Sequence, residues 1–199
     1  MTKITRKQTI ITCCIVSFCL LLNINSYILG TKHSKRIAVN FELTQTEEEQ
    51  HKYQFMPEAM SNYICSLSEE LNVDSDLVVA ILMVENSEFN PEAVHRNING
   101  TIDCGLFQLN DRYIWTSFKS AYWFENIELD PFNWKHNSYL AIHHIGYLQS
   151  KLKVTDEIIM AYNCGISAVM SEQIPDSTKV YLKKVKTNLF LLKQEIKEG

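Results

Sequence analysis

Glycine and proline are scarce in this chain, with six glycines and four prolines among 199 residues. So few turn formers exclude a turn-rich all-β protein and the low-complexity disordered classes. No internal repeat is present. Cysteine is sparse outside the N-terminus: beyond Cys13, Cys14 and Cys19 there remain only Cys65, Cys104 and Cys164, and no pair has zinc-ligand spacing. An excess of positive charge is also missing. The chain carries 19 basic and 23 acidic residues; Lys3, Arg6 and Lys7 fall in the first thirty and no acid does, which leaves the rest at −7. So acidic a body argues against nucleic acid as a partner, and against electrostatic adhesion to an anionic surface beyond the N-terminus.

What is present is enough for one core. At 199 residues and 46% hydrophobic composition the chain suits a single domain. Residues 1–30 combine a basic start with a mostly apolar run from Ile10 to Ile24, which predicts a signal peptide or a retained membrane anchor. Either reading places the body outside the cytoplasm, in the periplasm or cell envelope of a bacterium if the resemblance below holds. Residues 31–54 are polar, include Glu47-Glu48-Glu49, and predict a tether; the domain is expected over 55–199.

Within that domain the periodicity is helical. Met60, Tyr63, Ile64, Leu67 and Leu71 predict a helix over 57–71, broken by Asn72-Val73-Asp74. Asp74 or Ser75 then caps a second helix whose run Leu77 to Val84 is apolar on nearly every side and so belongs in the core. A loop-rich stretch from Asn90 to Asn110 follows, with Asn99-Gly100 as its turn, and then an aromatic-dense region over 113–134. Further helices are expected at about 137–152, 155–163 and 177–196, the last with an apolar stripe at Tyr181, Val185, Leu189, Leu192 and Ile196. The fold class is mainly α, with a loop-rich active-site segment.

The chemistry concentrates around that segment. Glu85 closes the apolar helix, where desolvation raises a carboxylic acid toward the range of a general acid. Glu88 is its rival, but it stands among polar residues, where a solvated acid is expected. Asp103, eighteen residues on, is either a second catalytic carboxylate or a loop fixer that binds backbone N–H groups. Gln108 can hydrogen-bond a sugar's N-acetyl or hydroxyl group, and Gly105 would let backbone approach substrate. One or two aromatics of the 113–134 cluster are expected to stack on sugar rings, the rest to pack in the core. His136, His143 and His144 lack matching acid or cysteine spacing, so no metal is assigned, and no cofactor.

Four segments resemble one known family. Val84-Glu85-Asn86-Ser87-Glu88-Phe89-Asn90-Pro91 is similar to the catalytic-glutamate motif of the soluble lytic transglycosylase (SLT) enzymes of peptidoglycan. Asp103-Cys104-Gly105-Leu106-Phe107-Gln108 resembles their Gly-Leu-x-Gln motif, and Ala161-Tyr162-Asn163-Cys164-Gly165 their Ala-Tyr-Asn-x-Gly motif. Pro175 to Tyr181 resembles their closing Pro-x-x-Thr-x-x-Tyr. One departure stands out: the family's aromatic comes third after the glutamate, whereas Phe89 is fourth, as if a residue were inserted.

The resemblance implies a lysozyme-like domain that cleaves peptidoglycan glycan strands between N-acetylmuramic acid and N-acetylglucosamine, leaving a 1,6-anhydro end. It implies Glu85 as catalyst, with Gln108, Tyr162 and Asn163 in support and no metal. It would bring Cys104 and Cys164 close enough to consider a bridge, against three small buried thiols as the more ordinary reading. The same stretch also resembles animal-type lysozymes, with Asp103 as the partner acid of a muramidase. A glycan-binding module of the envelope, or of a secretion machine, is the non-enzymatic alternative.

Overall fold

The computed structural model describes residues 52–118 and 128–198. The expected signal or anchor (1–30), most of the expected tether, and Tyr122, Trp123 and Phe124 of the aromatic cluster lie outside the described residues. Packing reaches back slightly past the expected domain start at Phe55. Tyr53 is 3% exposed, and its hydroxyl donates to Asp76 Oδ1 at 2.7 Å.

Helix α1 (Glu58–Glu70) begins behind Pro57, which cannot donate an N–H and is tolerated at a helix start. It ends where the sequence predicts. Asn72 takes a left-handed φ of +54°, Asn72 N–H donates to Glu69 O, and Val73 N–H donates to Ser68 O at 2.8 Å. That pair of bonds satisfies carbonyls the helix would otherwise leave orphaned. Asp74 then caps α2 (Ser75–Glu85) by accepting from Asp76 N–H at 2.9 Å. Leu77 to Leu82 are consecutively buried, as an all-round apolar helix must be. Each such side chain contributes about 1.5–3 kcal/mol when removed from water.

The loop-rich segment contains a small antiparallel sheet: β1 (Val94–Arg96), β2 (Ile102–Cys104) and β3 (Leu109–Asn110), in the order β1-β2-β3. His95 pairs with Asp103, and Asp103 with Asn110. Strands of two or three residues are too short to show an alternating pattern, so the sequence reads as loop. The expected Asn99-Gly100 turn joins β1 to β2, with Gly100 at φ +79°. A single-run π-helix, Asp111–Phe118, follows β3.

Helix α3 (Trp134–Lys151) starts three residues earlier than expected, because Asn133 caps it through Lys135 N–H and His136 N–H. Helix α4 (Thr155–Cys164) matches the expected span closely, and a short α5 (Ile166–Met170), absent from the sequence reading, follows Gly165. Helix α6 (Asp176–Glu198) lies antiparallel to α2. Three contacts mark the course of that packing: Tyr181 to Glu85, Asn188 to Ala80 O, and Lys193 to Asp74. Of the expected inward stripe of α6, Tyr181, Val185 and Leu192 are buried and Leu189 is half-buried, while the side chain of Ile196 lies outside the described residues.

Candidate active site

Glu85 is the last residue of α2, and its position follows from the core beneath it. Six buried apolar side chains anchor the helix, and Asn86 ends it immediately afterwards. The Asn86 side chain donates to Asn90 O at 2.6 Å and accepts from Asn90 N–H at 3.1 Å, closing the loop beyond the acid. Residue 85 is half-buried overall, yet its carboxyl end is strongly desolvated. Desolvation pushes the carboxyl up from 4.5 to about 7; a hydrogen bond from Tyr181 opposes this, and the charge of Asp103 adds to it. A carboxylic acid poised there can give up a proton near neutral pH and take one back. Glu88 is exposed, as a solvated acid should be.

Tyr181 is the residue that sequence reasoning passed over. Its hydroxyl donates to Glu85 Oε1 at 2.6 Å from the first turns of α6. On the sequence it counted as an inward apolar position and as the end of the Pro-x-x-Thr-x-x-Tyr segment. That motif was the signal that could have marked it as a site residue. Burial, with the charge of Glu85 second, holds its phenol well above the ordinary range, so it remains a donor. Tyr181→Phe removes a bond to a charged group, a change worth about 1.5–3 kcal/mol, and should lower turnover about 10- to 100-fold. That bond holds the Glu85 pKa down, so its loss should move the alkaline limb of the pH–rate profile upward. A limb that stays in place or moves down would show that Tyr181 does not tune Glu85.

Asn163 reaches the site through α6. Its Oδ1 accepts from the hydroxyl of Thr178, a residue 1% exposed, at 2.7 Å. This bond ties the end of α4 to the turn of α6 that carries Tyr181, so Asn163 supports the site without lining it.

Tyr162 points its phenol at Phe107 O, to which it donates at 3.0 Å, rather than at the Glu85 carboxylate. Burial and then the charges of Glu85 and Asp103 raise its pKa well above the phenol range. It is therefore a neutral hydroxyl beside the acid that braces the Phe107 segment.

Asp103 is committed elsewhere. Its Oδ1 accepts from Asn110 Nδ2 at 2.7 Å, and its Oδ2 accepts from Asn97 Nδ2 at 2.8 Å. Both oxygens thus hold the sheet together, through side-chain amides rather than the backbone N–H groups anticipated. Its negative charge still reaches Glu85 and Tyr162.

Gln108, at φ +48°, donates through Nε2 to Ala93 O at 3.1 Å and to Gly105 O at 2.8 Å. Its amide nitrogen is satisfied by backbone, which leaves the carbonyl end for any ligand. Gly105 has a packing task beyond the one expected: a side chain there would overlap Asn137 Nδ2 and Pro131 O. Asn137, fully buried on α3, accepts from Phe107 N–H at 2.7 Å and donates to Cys104 O and Pro131 O, both at 3.0 Å. That one amide clamps the Gly105–Phe107 turn against the helix.

No bridge joins Cys104 to Cys164: Cys65, Cys104 and Cys164 are all free thiols. The Cys104 thiol is buried and donates to Leu109 O at 3.4 Å within the sheet. Only Cys104 of the three is fully buried, so the picture of three buried thiols holds in part. His144 is half-buried, its ring packed against Phe118 and Tyr162, and desolvation lowers its pKa to about 4, which keeps the imidazole neutral. Of the aromatic cluster, Phe118 is buried and Tyr113 is exposed just beyond Asn110.

The transglycosylase SLT domain model matches residues 62–181, a span that contains every residue of this site. Among solved structures, the chain resembles an inactive mutant of the lytic transglycosylase Slt from Pseudomonas aeruginosa, with a TM-score of 0.54 and 18% identity. The likeness covers 67% of this chain and 24% of that one, so the chain spans about a quarter of the length of that enzyme. No curated protein matches the chain.

Proposed function

Since the chain belongs to the transglycosylase SLT domain family, we propose that it cleaves the β-1,4 bond between N-acetylmuramic acid and N-acetylglucosamine in peptidoglycan, closing a 1,6-anhydro ring on the muramic product. The observation that carries this reading is a desolvated acid, Glu85, raised to about 7 and bonded to Tyr181, while both oxygens of Asp103 already accept from side-chain amides. Glu85 protonates the leaving glycosidic oxygen and becomes the carboxylate that Tyr181 stabilises. It then takes the proton of the muramic C6 hydroxyl as that oxygen closes on C1. The attacking group is already part of the bound sugar, so proximity replaces an ordered water.

A muramidase would need Asp103 as nucleophile or electrostatic partner. Both Asp103 oxygens accept from asparagine amides within the sheet, which favours a structural role. Asp103→Asn separates the two readings. In a transglycosylase it should keep turnover within about tenfold of the native rate and cost about 1–3 kcal/mol of stability, because an amide cannot accept from both neighbours. Removing the negative charge also lowers the Glu85 pKa, so the alkaline limb should move down. Loss of nearly all turnover, with reducing-end products from the native chain, would instead assign a hydrolase. Mass spectrometry of products from purified sacculi makes that distinction directly, since anhydro products are lighter by one water. A glycan-binding module would release no products at all.

Peptidoglycan lies outside the cytoplasm, and the apolar N-terminal segment supports export to the envelope, with or without retention as an anchor. Association with an envelope or secretion machine remains a proposal that copurification would test.

A further inference from the structure

Two phenylalanines beside the catalytic loop are placed in a way that packing alone does not explain. Phe55 lies between two buried anchors, Tyr53 at 3% exposure and Met56 at 4%, in a turn closed by Met56 N–H to Tyr53 O at 3.2 Å. Tyr53 is fixed in turn through its hydroxyl to Ser75 and Asp76. The ring between these anchors is nevertheless 43% exposed. Its centroid is 6.0 Å from that of Phe89, at an interplanar angle of 34°.

Phe89 is itself unusual, at φ +54°, in the left-handed region that a bulky side chain rarely enters. The loop imposes this conformation: Phe89 N–H donates to Asn86 O at 3.1 Å, and the Asn86 side chain grips Asn90 from both sides. Phe89 lies four positions after Glu85, so their Cα atoms are at most about 14 Å apart. The loop that stops α2 at the acid therefore also presents the Phe89 ring to Phe55.

We infer that Phe55 and Phe89 form an aromatic platform that stacks on an uncharged N-acetylhexosamine ring of the glycan strand, a sugar-binding site beside the bond-cleaving one. Aromatic faces are apolar and suit the C–H faces of a pyranose, whereas charged groups at that place would suit the peptide stems instead. Among the described residues, the ring contacts of Phe55 and Phe89 involve only Tyr53 and each other, with no charged partner. The proposal rests on the glycan-strand reading of the site, but not on which bond is cut.

The test is binding of purified, peptide-free glycan strands to the full chain carrying Glu85→Gln, measured by calorimetry, alongside product release by the native chain. Phe55→Ala and Phe55→Leu should each weaken binding about fivefold to tenfold, while Phe55→Tyr should bind as the parent does. Melting temperatures of the three variants should agree, since the ring is largely outside the core. Leucine keeps apolar bulk but has no ring face, so native binding by Phe55→Leu would reduce the pair to packing and overturn the platform. Unchanged binding by Phe55→Ala, or no binding by the Glu85→Gln parent at any strand concentration, would overturn it too. Ring-dependent binding without product release from the native chain would uphold the platform and overturn the cleavage reading. Product release with ring-independent binding would do the reverse.

Discussion

Glu85→Gln should lower turnover of peptidoglycan by at least about 10³-fold while leaving the fold intact, because it removes the proton that the departing sugar oxygen needs. The same substitution should stabilise the protein above neutral pH. The folded chain holds the Glu85 proton up to about 7, whereas an unfolded chain releases it near 4.5. Folding therefore takes up a proton between those values, and native stability falls as pH rises from 4.5 through 7, then levels off. Glutamine keeps an acceptor for Tyr181 and carries no charge to desolvate. The variant should thus gain on the order of 3 kcal/mol over the native chain above about pH 8, and nothing below 4.5. Urea melts of both proteins across that range, with activity measured on sacculi, check both halves. An inactive variant with no stability gain at high pH would mean that Glu85 is not held in a desolvating pocket. A stable, fully active one would remove it from the chemistry.

The second large effect lies away from the reacting atoms. Gly105→Ala should cost about 4 kcal/mol or more, enough to leave the sheet or the whole domain unfolded at ambient temperature. Two penalties combine there. Gly105 has φ +77°, which a side chain tolerates poorly, and its Cβ would overlap Asn137 Nδ2 and Pro131 O. Gly165 is an internal control: φ is +86°, but nothing lies within 4 Å of a Cβ built there. Gly165→Ala should therefore cost only the backbone strain, about 1–2 kcal/mol. Equal losses at the two positions, measured by denaturant unfolding, would show that the Asn137 clamp is not what demands glycine at 105.

These two substitutions also mark how much of the protein was legible along the chain. The helices could be read because their causes are local. Asp74 caps, Asn72 takes the left-handed turn, and the run Leu77–Leu82 leaves no polar face for water, so α2 is buried and delivers Glu85 at its end. The raised acid follows from the same locality, since an apolar helix that ends on a carboxylate desolvates it.

The sheet was not legible, because strands of two or three residues carry no period and are held instead by Asp103 bonding Asn97 and Asn110. Nor was the use of Gly105, whose neighbours Pro131 and Asn137 come from 26 and 32 residues further along. The bridge considered between Cys104 and Cys164 failed for a like reason: nearness of two motifs does not fix where each thiol points.

What the sequence determined by itself was therefore the helical frame, the acid at the end of its buried helix, and the motifs of the family. Tertiary structure alone decided which groups serve that acid. Tyr181, 96 residues away, bonds Glu85, while Tyr162 turns to Phe107 and Asp103 to the sheet. A hydrogen-bond partner is set by packing angles between helices distant in sequence, and no local pattern in the chain encodes those angles.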